Sequence, residues 1–129
     1  MMAEKDDTAA IAELMRPMMK RELYAILNRP LVPMAEMRPH LHAHLVYMIE
    51  LEKSGVLFAS GPLSGPGDEM AGEGLTIVRA ASLAEAEAIA GRDPFVLAGR
   101  REPQVRKWTV NEGRITVSVD ISNTAATLP

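Results

Sequence analysis

The stretch Met34 to Pro62, MAEMRPHLHAHLVYMIELEKSGVLFASGP, switches its hydrophobic period once, and that switch decides the fold. From Met34 to Ser54 the apolar residues recur at helical spacing. Pro39 stands near the first turn and Gly55 directly after the last, the usual asymmetry of helix ends. At about 100° per residue, Met37, Leu41, His44, Leu45, Met48 and Leu51 share one arc. His44 therefore points inward, and Glu52 is the misfit of that arc. Beyond Gly55, Val56 to Gly61 reads as a strand broken by Pro62.

Upstream, Glu22 to Leu27 is a short apolar run stopped by Asn28-Arg29-Pro30, which predicts a strand. Thr8 to Lys20 places Ile11, Leu14, Met15 and Met18 at helical spacing with Pro17 cutting across it, so residues 1–20 are expected to be a helical extension outside the main fold. Downstream, a glycine-rich connection from Leu63 to Glu73 leads to a strand at Leu75 to Val78, and its composition suits a mobile lid. Ser82-Leu83-Ala84-Glu85 has capping-box spacing and opens a helix that ends at Gly91. After the Asp93-Pro94-Phe95 turn, Gln104 to Val110 is a fourth strand, and the alternation of Ile115, Val117 and Val119 predicts a fifth over Arg114 to Val119. The α+β domain is expected over 21–119, with 120–129 as a loose tail.

The order β-α-β-β-α-β plus one extra C-terminal strand is the split-βαβ, ferredoxin-like arrangement, an α+β fold with an antiparallel sheet. Both helices should cover one face of that sheet. The other would expose alternate residues of apolar strands, so a homodimer or higher homo-oligomer packing sheet to sheet is the expected remedy.

At 129 residues, 47% of them hydrophobic, the chain suits a compact domain with its own core. A formal charge of −3 argues against a nucleic-acid partner. Arg100, Arg101, Arg106 and Lys107 cluster, but they are interleaved with Glu102 and lack aromatic partners, so they read as a solvated face. The absence of cysteine excludes a disulfide framework and a thiol nucleophile. Glu4, Asp6 and Asp7 with no sustained apolar run do not make a signal or transit peptide, and no stretch reaches the roughly 20 apolar residues of a membrane span. A cytoplasmic protein without a membrane partner is the expectation.

Chemistry concentrates on His44 and Asp93. A histidine inside an apolar stripe and a carboxylate able to orient it are the smallest kit for general acid–base work. Each also has a structural reading: His44 as a core histidine bonded to a backbone carbonyl, Asp93 as the N-cap of the turn after Pro94. His40, His42 and His44 do not make a metal site, because on a helix at most two of them share a side and no carboxylate motif stands nearby. Tyr24 on the first strand, and Ser60, Gly61 and Pro62 at the end of the second, are placed to line the same cavity as substrate-binding residues. Trp108 is expected in or beside a dimer interface.

Arg38-Pro39 through His44-Leu45, then Gly55, Leu57-x-Ala59-x-Gly61-Pro62, and Asp93-Pro94-Phe95-Val96 with Gly99, resemble the YciI-like (YCII-related) family over about residues 21 to 110. The resemblance implies a dimeric α+β barrel, similar in fold to muconolactone isomerases and antibiotic-biosynthesis-type monooxygenases. It also implies that His44 and Asp93 are the active-site pair. Most members have no assigned reaction, though the family includes a dehydrochlorinase of aromatic degradation. The expected function is thus a small-molecule enzyme, isomerase- or lyase-like, that works by proton abstraction and return without metal or organic cofactor. The alternative is a non-catalytic metabolite-binding or accessory dimer, and an oxygenase-like activity is the weakest of the three.

Overall fold

The computed structural model describes residues 6–129; residues 1–5, and Glu4 with them, lie outside the described residues. The described residues divide into two compact units, Glu22–Thr109 on one hand and the chain ends, residues 6–21 with Val110–Pro129, on the other.

The larger unit is a four-stranded sheet with helices. Strand β1 (Arg21–Pro30) is followed by α2 (Met34–Met37), a 3₁₀ turn (Arg38–His40) and α3 (Leu41–Lys53). Then come β2 (Leu57–Ser64), β3 (Met70–Val78), α4 (Leu83–Gly91), the short α5 (Pro94–Leu97) and β4 (Arg101–Val110). The strand order is β2-β3-β1-β4, with β3 antiparallel to both neighbours. Two βαβ crossovers interleave around β1 and β3, which is the ferredoxin-like α+β arrangement. The single helix expected over Met34 to Ser54 is broken at the 3₁₀ turn around Pro39. That ring has no N–H to donate and restricts Arg38 before it.

Tyr24, Ile26 and Val78 on the sheet pack against Met48 and Leu51 of α3 and Ala86, Ile89 and Ala90 of α4. The Tyr47 hydroxyl donates to the Ile89 carbonyl at 2.7 Å and ties α3 to α4, and burial pushes its pKa above the usual phenol value. Cross-strand partners share a face, so Ala25 and Ile77 lie on the side opposite this core. There Leu23 and Ile77 are buried, while Ala25, Leu27 and Leu75 are half-buried. The near-continuous apolar run of β1 thus has little of either face in water.

Most of the connection expected to be a lid is strand. β2 runs on to Ser64 and β3 begins at Met70, so only Gly65 to Glu69 form the turn, closed by Gly65 N–H to the Glu69 carbonyl at 2.8 Å. A bulge between Leu63 and Ser64 takes up the extra residues of β3, and Gly72 there has φ +81°, a conformation that glycine adopts without strain.

In the smaller unit, α1 (Thr8–Met15) stops two residues before Pro17. The extra strand expected over Arg114 to Val119 lies at β5 (Ser118–Asp120), and the tail that follows is not patternless: β6 (Ala125–Thr127) pairs antiparallel with β5. The alternation of Ile115 and Val117 had extended the strand too far, because both residues are exposed and bury nothing that would fix them in a ladder.

Ser82 caps α4, its Oγ accepting the Glu85 N–H at 3.1 Å, while Glu85 Oε2 accepts the Ala81 N–H at 2.9 Å. The reciprocal bond thus reaches one residue further back than the usual capping box. Ser82→Ala should lower unfolding free energy by about 1 kcal/mol, read from urea denaturation; an unchanged midpoint would show the cap to be silent.

Candidate active site

His44 sits one turn into α3 and Asp93 stands before α5, so the pair joins two elements 49 residues apart in sequence. Asp93 is 3% exposed and His44 9%. The His44 Nδ1 lies 2.9 Å from Asp93 Oδ1 and 3.0 Å from Oδ2. An ionised carboxylate only accepts, so Nδ1 carries the proton, and the neutral ring keeps the lone pair of Nε2. Asp93 Oδ1 also accepts the Phe95 N–H at 2.9 Å, making Asp93 the N-cap of α5 with Pro94 at the first helical position. The carboxylate thus meets the His44 imidazole and caps α5 at once. The Phe95 ring so positioned stacks on the His44 imidazole, with centroids 4.5 Å apart and planes at 28°. His44 thus finds a carboxylate and an aromatic ring rather than a backbone carbonyl.

Against this pair lies a cavity of about 910 Å³ between α3 and the β2–β3 hairpin. His44 lines it, as do Ser60, Gly61 and Pro62 from β2. The Ser60 and Thr76 hydroxyls meet at 2.9 Å across the β2–β3 ladder, so Ser60 already has one partner. Tyr24 is not brought to the cavity. Its ring is buried in the core beneath α3 and α4, because the even-numbered residues of β1 face those helices. Asp93 stands behind His44 rather than on the wall. Leu41 and Leu45, expected in the core by periodicity, are 37% and 49% exposed and line the cavity instead, as does the misfit Glu52.

Sequence reasoning missed Arg101. It was assigned to a solvated face, yet it is only 9% exposed and lines the cavity. Its Nε–H donates to the Gly72 carbonyl at 3.2 Å, and its guanidinium carbon lies 4.6 Å from the Phe95 ring centroid. Burial lowers its pKa from the ordinary arginine value, opposed by the negative charge of Asp93. The signal for it lay in β3. Gly72, Gly74 and Thr76 alternate on one face of the strand, and a Cβ at Gly74 would come within 3.0 Å of Arg101 Nη1. The alternation of small residues, which reads as a loop composition, is the bed of a buried side chain.

Among the described residues, no three His, Cys, Asp or Glu side chains gather to hold a metal ion, and no helix is long and apolar enough to cross a membrane. The YCII-related domain model matches residues 18–109. The chain belongs to the YCII-related family. Among solved structures, it is similar to 5-chloro-2-hydroxyhydroquinone dehydrochlorinase (TftG) from Burkholderia phenoliruptrix AC1100, in complex with 2,5-dihydroxybenzoquinone. The two are 25% identical with a TM-score of 0.57, over 67% of this chain and 92% of that one. Among curated proteins, none matches the chain.

The double duty of Asp93 can be separated. Asn offers one acceptor oxygen and is a good cap, whereas Ala offers none. Asp93→Ala should therefore unfold at lower urea than Asp93→Asn, by about 1 kcal/mol, and equal losses would remove the cap from the account.

Proposed function

We propose that this YCII-related protein is a small-molecule enzyme of isomerase or lyase type, a dehydrochlorinase-like activity included, in which His44 moves a proton and Asp93 holds it in place. The observation that carries the reading is the buried pairing of His44 Nδ1 with the Asp93 carboxylate at the wall of a cavity large enough for a ring. A carboxylate on Nδ1 leaves Nε2 as the base and favours the imidazolium formed when the base is used. The stacked Phe95 keeps the ring from turning away. Ser60, Gly61 and Pro62 supply one wall for the substrate, and the apolar residues Leu41, Leu45 and Met48 another.

The likeness to a dehydrochlorinase that binds a dihydroxyquinone makes a hydroxylated ring the first substrate class to test. In such a reaction His44 takes a proton from the substrate, and a C–Cl bond breaks as chloride leaves with its electron pair. The sum is loss of HCl from a chlorinated hydroxyhydroquinone to give a hydroxyquinone. No oxidant is consumed.

Chloride release from 5-chloro-2-hydroxyhydroquinone, followed beside quinone absorbance, should proceed faster than the uncatalysed background. His44→Gln should slow it by about 10²-fold or more, and Asp93→Asn by a smaller factor. A panel of chlorinated and unchlorinated hydroxyhydroquinones on which wild type and His44→Gln behave alike would favour the accessory, metabolite-binding reading.

Phe58 on β2 and Trp108 on β4, large apolar side chains exposed outside the cavity, support a homodimer. Sedimentation at micromolar concentration should give a dimer or larger species, and a single monomeric boundary would remove the assembly.

A further inference from the structure

Among the described residues, Arg101 alone of the lysines and arginines is buried, and the proton-transfer chemistry does not use it. A guanidinium taken out of water is costly unless its donors and its charge are met. Arg101 is only partly met. Its Nε–H has the Gly72 carbonyl, and its face lies against Phe95. Among the described residues no acceptor meets its two terminal nitrogens, and neither Glu52 nor Glu73, the acidic residues on the cavity wall, forms an ion pair with it. Asp93, the nearest buried carboxylate, spends its oxygens on His44 and the Phe95 N–H.

The position of the fork is fixed by the backbone. Gly74 leaves room for the guanidinium, with Nη1, Nη2 and Cζ at 3.0, 3.2 and 3.3 Å from where a Cβ would stand, and the bulged Gly72 supplies the carbonyl that holds Nε. Arg101 and His44 both contact the ring of Phe95, with centroid distances of 4.6 and 4.5 Å. The same capped turn therefore sets the base and the cation relative to each other.

We propose that Arg101 is the anion-binding residue of the cavity, its two terminal nitrogens taking a planar ligand that presents two conjugated, negatively charged oxygens, so that the site selects anionic rings over their neutral counterparts. This rests on the reading of the cavity as a small-molecule site, and does not depend on His44 carrying a proton. A planar fork of two parallel N–H donors fits two coplanar oxygens better than a point charge does. With one oxygen pair fastened at Arg101, the ring lies in the cavity whose wall includes His44.

The test is equilibrium binding by calorimetry of 2,5-dihydroxybenzoquinone, an acidic enol that is anionic at neutral pH, and of its neutral dimethyl ether. The wild type should bind the anion more tightly. Arg101→Met, a neutral side chain of similar reach, should weaken the anion by about tenfold or more and change the ether by less than about twofold. Arg101→Lys keeps the charge without the fork and should fall between. Equal losses for both probes, an anion affinity unchanged in a Met variant that retains the wild-type circular dichroism, or no binding of either probe by wild type at millimolar concentration would overturn the proposal. If Arg101→Met does not fold, the Lys variant decides, and undiminished anion affinity there would overturn the bidentate contact. His44→Gln should keep most of the anion affinity while losing turnover. Failure of the His44 chemistry thus appears in turnover alone, and failure of the Arg101 assignment in binding alone.

Discussion

One buried carboxylate organises the centre of this protein. Asp93 Oδ1 accepts both the Phe95 N–H and the His44 Nδ1–H, and Oδ2 shares the latter. Burying a charge with 3% of its residue surface exposed is unfavourable by itself, and the donors gathered around it are what makes it tolerable. The backbone amide fixes the carboxylate to α5, Pro94 presets the turn that presents that amide, and the imidazole brings α3 to the same point. Phe95 follows from the cap, and both the stacking on His44 and the contact with Arg101 follow from Phe95.

The sheet contributes by omission. Helix α3 rests through Met48 and Leu51 on the large side chains of the core, and because the strand residues Gly72, Gly74 and Thr76 are small, the space beside that contact is left open as the cavity that Leu41 and Leu45 line. A core of large side chains would have filled it. Arg101 uses part of the same space, and its charge is tolerated because the Gly72 carbonyl, the Phe95 face and the nearby Asp93 each reduce what desolvation costs.

The α+β topology was legible because the hydrophobic period changes cleanly at Gly55 and because Ser82, Pro94 and Gly91 punctuate the second half of the chain. His44 and Asp93 were legible for the opposite reason, as polar residues at positions where periodicity asked for none or where a turn began. Tyr24 was placed at the cavity because a single strand does not announce which of its faces meets the helices; that is settled by pairing with β3, a non-local fact. Arg101 was read as surface because local charge clustering hides which member of Arg100-Arg101 turns inward. That choice depends on Gly74, far away in sequence. The length of the β2–β3 hairpin was missed because glycine-rich strands bordering a bulge share the composition of loops.

The bulge after Leu63 separates the hairpin into two mechanical parts. On one side, Ser60 to Leu63 and Glu73 to Thr76 are locked in register with the rest of the sheet. On the other, Ser64 to Met70 close a turn of their own, with Gly65 and Glu69 bonded to each other rather than to the sheet. Met70 nevertheless reaches the rim of the cavity. Length and sequence can therefore drift in that turn without reaching the floor that holds Arg101 or the helix that holds His44. The tip of this hairpin is the place where a change of length or sequence would alter the rim of the cavity while Gly72, Gly74, Arg101 and His44 keep their places below.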